Sequence, residues 1–283
     1  MSPTPLDRLG LNSYWAFVAP LGVLILGAYL LPVGQLLVQS VIQPEPGLQN
    51  YAVVVDSEAL RRVYATTARI CLITTAIALV LGYILAFALC HAKGFAAKLL
   101  LACVLIPFWL SVLIRAFAWL LLLRNNGPVN ETLEALGLIA QPLELVRNEL
   151  GVIIGMVHYL IPFAVFPLYA AMRGIDPRLL QASHSLGAGA VRTFVSVYLP
   201  LSLPGVLGAA ILVLVFSLGF FVTPAILGGG TVVMLAERVS VYVLQTPNWG
   251  LAAALAVLLL AVTLVMLWLL SRVIGIDRAL GAR

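Results

Sequence analysis

Six stretches of this chain are apolar for about twenty residues or longer, and that repetition constrains the fold more than any other feature. They run over 14–41, 63–90, 99–123, 150–172, 201–227 and 251–270. A helix of about 20 residues crosses the hydrocarbon core of a bilayer. The expected fold class is therefore all-α: a polytopic membrane protein with six transmembrane helices, forming a single transmembrane domain over 1–283. Composition agrees, with 63% hydrophobic and 10% charged residues, where a soluble domain carries about 45–50% and about 25%. The first run is long, and no short run ends in an A-x-A-like site, so it is expected to insert and stay as a span.

The three cysteines, Cys71, Cys90 and Cys103, are scattered through or beside apolar runs. An odd number at that spacing fits neither a disulfide framework nor a metal site, and they read as small hydrophobes. A net charge of +5 without a basic run suits contact with anionic headgroups and gives no sign of a nucleic-acid partner.

Lysine and arginine placement sets the orientation. With the N-terminus in the cytoplasm, Arg8, Lys93, Lys98, Arg173, Arg178, Arg192, Arg272, Arg278 and Arg283 fall inside. Arg61, Arg62, Arg124, Arg147 and Arg238 fall outside, and Arg69 and Arg115 fall within spans. Both termini are thus expected in the cytoplasm. Of the acids, Asp7, Asp176 and Asp277 are inside and the other eight outside. That makes the outer face net negative, which mildly favours a cationic solute there, although loop acids are often just solvated.

One connection is too polar and too well punctuated for a tether: the loop at 173–200, expected on the cytoplasmic side. Asp176 can cap a helix, Pro177 suits its first turn, and Gly187 supplies a left-handed stop. The signals predict a helix over 177–186, too short to be stable alone in water. Leu179, Leu180, Ser183 and Leu186 lie close to one face, with Gln181 and His184 beside it. Either it lies on the headgroups or it docks on a partner protein. Only Arg178 and Arg192 are at hand to line a lipid-facing polar side, so docking is the expectation.

Polar groups inside spans are functional candidates by default. Arg115, near Trp109, Phe117 and Trp119, either faces a solvated cavity, positions a substrate carboxylate or orders neighbouring helices, or else pairs with a loop acid or snorkels. A structural role is slightly favoured. Arg69, nearer an interface, reads as snorkelling. His158 and Tyr159 share the fourth run with Pro162 and Pro167, whose kinks suit a pathway wall, while a plain hydrogen bond from His158 to a neighbouring carbonyl is as good an account. The segment 217–230, "SLGFFVTPAILGGG", carries Phe220, Phe221 and Thr223 before a triple glycine and reads as a gate or substrate-facing turn. Its aromatics equally suit helix packing. Glu237, the one acid of a largely apolar outer segment, either attracts a cation or pairs with Arg238 or water.

The segment "LLQASHSLGAGAVRTFVSVYLPLSLPG" resembles the cytoplasmic loop of ABC-importer permease subunits, whose pattern is Glu-Ala-Ala, three residues, Gly, then a spacer ending in Leu-Pro. Here Gln181-Ala182-Ser183, Gly187 and Leu199-Pro200 stand at those positions. The strings "LGYILAFALCHA", "LIPFWLSVLIRAFAW", "GMVHYLIPFAVFPLYAAMRGIDPRLL" and "LGFFVTPAILGGG" are similar to the spermidine/putrescine-type branch of binding-protein-dependent permeases. The resemblance implies the type I importer permease fold in a bacterial inner membrane. It also implies a coupling helix, formed by Asp176, Leu180, Gln181, Ala182, Ser183, Leu186, Gly187 and Ala188, that docks on a dimer of a cytoplasmic ATPase. A second permease subunit and an extracytoplasmic binding protein complete the system, with a polyamine as solute and no cofactor. The family glutamate is glutamine at Gln181 and its second alanine is Ser183, which weakens docking on this side and points to a heterodimer of permeases. Arg115 fits a polyamine poorly, since a fixed cation repels one.

Two rivals stand beside this reading. The sequence has no G-x-x-x-x-G-K-[ST] loop, and neither lysine follows a glycine, so ATP would have to be hydrolysed by another subunit. A self-sufficient secondary transporter usually needs intramembrane acids or broken helices, and none of the eleven acids lies well inside a run. A membrane enzyme is the weakest reading, because no paired carboxylates, clustered ligands or nucleophile–base arrangement is visible.

Overall fold

The computed structural model describes residues 11–274, so Arg8, Arg278 and Arg283, with Asp7 and Asp277, lie outside the described residues. Helices α1 (Leu11–Ile42), α2 (Gln49–Asp56), α3 (Glu58–His91), α4 (Gly94–Trp109), α5 (Val112–Leu123) and α6 (Pro128–Ala135) make up the first half. They are followed by α7 (Glu149–Arg173), α8 (Pro177–Ser185), α9 (Ala190–Thr193), α10 (Leu199–Leu218), α11 (Leu235–Leu244) and α12 (Trp249–Ile274). No strand occurs among the described residues. Five helical stretches are long and apolar enough to cross a bilayer, and six if α4 and α5–α6 count as one broken span.

Two of the expected spans differ from what the hydropathy suggests. The run over 99–123 is not one rod. Leu110 and Ser111 leave the helix in extended conformation, and the chain turns by 105° between α4 and α5. Pro107 lies in the last turn of α4, where the missing N–H and the ring weaken continuation. The run over 201–227 begins earlier and ends earlier: helix runs over Ala190–Leu218, then Gly219, Phe220 and Phe221 break it. At the start of that stretch a π turn, Phe194–Tyr198, joins α9 to α10, with Leu199 N–H donating to Phe194 O. Proline at 200 has no N–H to give, and a local widening is how a helix accommodates that defect. A second π turn, Pro224–Gly228, also begins at a proline.

The centre of the fold is α7, packed between α3 and α10. Ala78, Ala86, Leu160, Ala164, Leu168, Ala209 and Val213 fill this core and are buried. Lipid is as apolar as leucine, so helices associate here by close packing rather than by hydrophobic exclusion, which favours small residues at the contacts. A Cβ built on Gly82 would stand 2.7 Å from the Ala164 Cβ. Outside this core, α12 packs on α1, α11 and α2. At the end of the bundle opposite α8, Arg69 of α3 donates to the Glu149 carboxylate of α7. Snorkelling is therefore not the whole account of Arg69. It also ties two helices together.

Candidate functional site

The described residues place the sequence candidates in two groups at different depths, plus one outlier. The first group is α8, which packs on α9 and on the π turn Phe194–Tyr198. The Asp176 carboxylate accepts the Arg178 N–H at 2.9 Å, and Pro177 follows at the first helical position. At the other end, Gly187 N–H donates to His184 O at 2.9 Å and Ala188 N–H to Ser183 O at 3.1 Å. Those paired bonds form a Schellman cap, and Gly187, at φ +81°, occupies its left-handed position. Both ends of a helix of nine residues are thus fixed locally, which offsets its poor intrinsic stability.

The expected apolar face of α8 splits in two. Leu180 is half-buried against the central core, and the Ser183 hydroxyl is 3.0 Å from that of Thr193. Leu179 and Leu186 point away, and Leu186 is 88% exposed. Gln181 and Ala182 are exposed, and Ala188 is half-buried. Helix α8 therefore grips the bundle with Leu180 and Ser183 and offers an apolar tip, Leu186, at its far end.

The second group surrounds Tyr159, midway along α7. Arg115, on α5, is only 7% exposed, and its guanidinium carbon is 4.1 Å from the centre of the Tyr159 ring. Arg115 is buried rather than snorkelling, and among the described residues no ion pair joins it to an acid. Phe220 meets the same ring in a T-shaped contact at 4.6 Å between centres. One turn away, Trp119 Nε1 donates to His158 Nδ1 at 3.1 Å. Indole can only donate, so His158 Nδ1 accepts, and a neutral ring carries its proton on Nε2. The carbonyl bond considered for His158 is replaced by one to a tryptophan.

Phe220 is buried and Phe221 is 44% exposed; with Val112, Tyr159, Gly219 and Val222 they line a cleft of about 140 Å³ at the break after α10. Thr223 is buried, turned toward Gly155 of α7. The triple glycine then reverses the chain, with Gly229 and Gly230 both left-handed at φ +55° and +80°. Three residues that the sequence reading passed over extend the aromatic row: Phe163 stacks on Tyr159 at 5.7 Å, and Phe216 and Phe108 meet Phe163 at 4.5 and 5.5 Å. Spacing by four, Tyr159 with Phe163 on α7 and Phe216 with Phe220 after it, was the available signal.

Glu237 belongs to neither group. It is buried in the first turn of α11, where its carboxylate accepts the Met234 N–H at 3.4 Å, while Leu235 N–H donates to Thr67 of α3 at 2.9 Å. Burial holds this carboxyl above its ordinary range, opposed by the Met234 N–H and by Arg238. Because the folded value is raised, the carboxylate costs stability increasingly as pH climbs above about 4, the unperturbed range. Glu237→Gln is expected to leave the unfolding temperature unchanged near that pH and to raise it at neutral pH, where the charge is present. A gain equal at both values would mean that the charge is not the cause.

Residues 78–274 match the family model described as "binding-protein-dependent transport system inner membrane component". The chain belongs to that family. As a member, it is a multi-pass inner-membrane permease. The "spermidine/putrescine transport system permease protein PotB" of Salmonella typhimurium is 34% identical over 231 residues, 81% of this chain and 80% of the relative. Its namesake in Escherichia coli K12 is 34% identical over 207 residues, 72% and 75% of the two chains. For the Haemophilus influenzae protein of the same name the match is 35% over 185 residues, 65% of each chain. A solved bacterial ABC transporter involved in the import of alginate aligns over 95% of this chain and 96% of its own, with a TM-score of 0.78 at 19% identity. The MetNI methionine ABC transporter, inward facing, aligns over 77% and 98% with a TM-score of 0.59, also at 19%. The fold is that of type I ABC importer permeases.

Proposed function

We propose that this chain is one permease half of an ATP-driven polyamine importer. It pairs with a second, non-identical permease, sits above a cytoplasmic ATPase dimer, and receives spermidine or putrescine from an extracytoplasmic binding protein. The observation that carries the importer part is α8: a helix capped at both ends, anchored by Leu180 and presenting an exposed leucine outside the spans. A helix built this way transmits force between a partner and the bundle as a rigid lever. Sequence identity of 34% over 81% of the chain with a spermidine/putrescine permease supports the cargo. The aromatic row around Tyr159 suits it as well, since ring faces attract ammonium groups without the cost of burying acids.

In this reading α8 and both termini are cytoplasmic, ATP is hydrolysed by the separate subunit, and closure of the ATPases swings α3, α7 and α10 together. The break at Gly219–Phe221 leaves non-helical backbone where it lines a cleft. The role of the chain is to bind and guide, with no bond made or broken.

The test is reconstitution in proteoliposomes with the copurifying ATPase and binding protein. Spermidine-loaded binding protein is expected to stimulate ATP hydrolysis and uptake. Uptake by this chain alone without ATP would instead establish a secondary carrier.

A further inference from the structure

We propose that Arg115 is the resident occupant of a cation seat: from within the chain, its guanidinium covers the Tyr159 ring face that an alkylammonium group of the cargo takes during transport. The proposal deepens the importer reading and rests on it for the identity of the cargo. Arg115 is more than nine-tenths buried, and its Nε and Nη1 are enclosed by protein with no hydrogen-bond acceptor. What it has is Tyr159, whose ring centre lies 4.1 Å from the guanidinium carbon and whose hydroxyl is also within its reach. A guanidinium taken out of water and left without a carboxylate is held weakly, because a ring face returns only part of the lost hydration.

Among the described residues no ion pair joins an acid to Arg115. Among the described acids, Glu58 pairs with Arg62, Glu149 with Arg69, and Glu237 turns back on the Met234 N–H. His158 has committed Nδ1 to the Trp119 indole, which leaves only a donor at Nε2. Tyr159 is also a wall of the cleft at the α10 break, beside Phe220 and Phe221. A cation entering that cleft meets the Tyr159 ring, and a ring that already faces a guanidinium attracts a second cation less. The seat has one place and two claimants.

This arrangement resolves the conflict between a fixed arginine and a cationic cargo. Arg115 keeps the seat filled when no cargo is present. Small inorganic cations, being strongly hydrated, gain little from a ring face, whereas a weakly hydrated organic ammonium gains enough to compete.

The experiment measures binding of radiolabelled tetramethylammonium to the purified permease complex by equilibrium dialysis, without ATP or polyamine. Wild type and Arg115→Lys are expected to bind it weakly. Arg115→Met is expected to tighten binding about tenfold or more, as an emptied ring face allows, and adding Tyr159→Leu to that variant is expected to abolish the gain. Arg115→Gln serves as the second variant if the methionine form does not assemble. Wild-type weakness in both Arg115→Met and Arg115→Gln, or a gain that survives loss of the Tyr159 ring, overturns the proposal. The probe is not a polyamine, so a complex that shows the gain yet fails to import spermidine separates this seat from the cargo assignment.

Discussion

Leu186→Glu is expected to abolish ATP-driven uptake while the chain still reaches the membrane in normal amounts. The leucine is 88% exposed, so folding loses almost nothing, as surface substitutions change stability by about 0.5 kcal/mol or less. Docking is another matter. A large apolar side chain at the tip of a rigid, doubly capped helix is the kind of anchor whose loss costs an interface about 2 kcal/mol or more, roughly a thirtyfold loss of affinity. A carboxylate at that place also has to be desolvated. The measurement is copurification of the ATPase with the tagged chain, followed by uptake. Leu180→Glu provides the contrast: its half-buried position against the central core predicts lower amounts of folded chain. Gln181→Glu restores the acid of the related loops and is expected to strengthen ATPase retention. Should the Leu186 variant retain both ATPase and uptake, α8 is not the docking helix.

The α8 region was legible from sequence because everything that builds it is local. A carboxylate at 176, a proline at 177 and a glycine at 187 are the two ends of a helix written within a dozen residues. What the sequence could not show is the split of its apolar face, since Leu180 and Leu186 differ only in whether the bundle happens to pass beneath them. The same contrast runs through the spans. Length and apolarity locate α1, α3, α7 and α12 well, yet hydropathy is blind to direction, so the 105° turn after Trp109 reads as uninterrupted grease. Pro107 and Ser111 were the cues, too common in membrane helices to decide it. The residues proposed for the pathway were named without their relations. Arg115 and Tyr159 stand 44 positions apart, and only the packing of α5 on α7 brings one over the other.

Gly205→Val is expected to damage the fold severely, although it alters neither charge nor polarity. Gly205 lies in α10 where that helix crosses α7. A Cβ there would collide with the Ala171 Cβ and stand 3.2 Å from the Pro167 carbonyl oxygen and 3.5 Å from the Leu168 Cα. Two of those three neighbours are backbone, and α7 cannot yield because its opposite side is set against α3, with Gly82 on Ala164. A valine must therefore push α10 outward. In lipid the helices have no hydrophobic force to restore the contact, so what is lost is dispersion along the whole crossing. Overpacking of this kind costs about 1–3 kcal/mol and sometimes more, enough to cut the accumulated protein several-fold. Gly208→Ala, one turn on, is the control. Its Cβ would lie 3.9 Å from the Pro167 Cβ, an ordinary contact, and the variant is expected to accumulate like wild type. The comparison is read from monodisperse protein recovered after detergent extraction. Equal recovery of Gly205→Val and Gly208→Ala would mean that α10 and α7 do not depend on this close approach, and that the central core is held by its larger side chains instead.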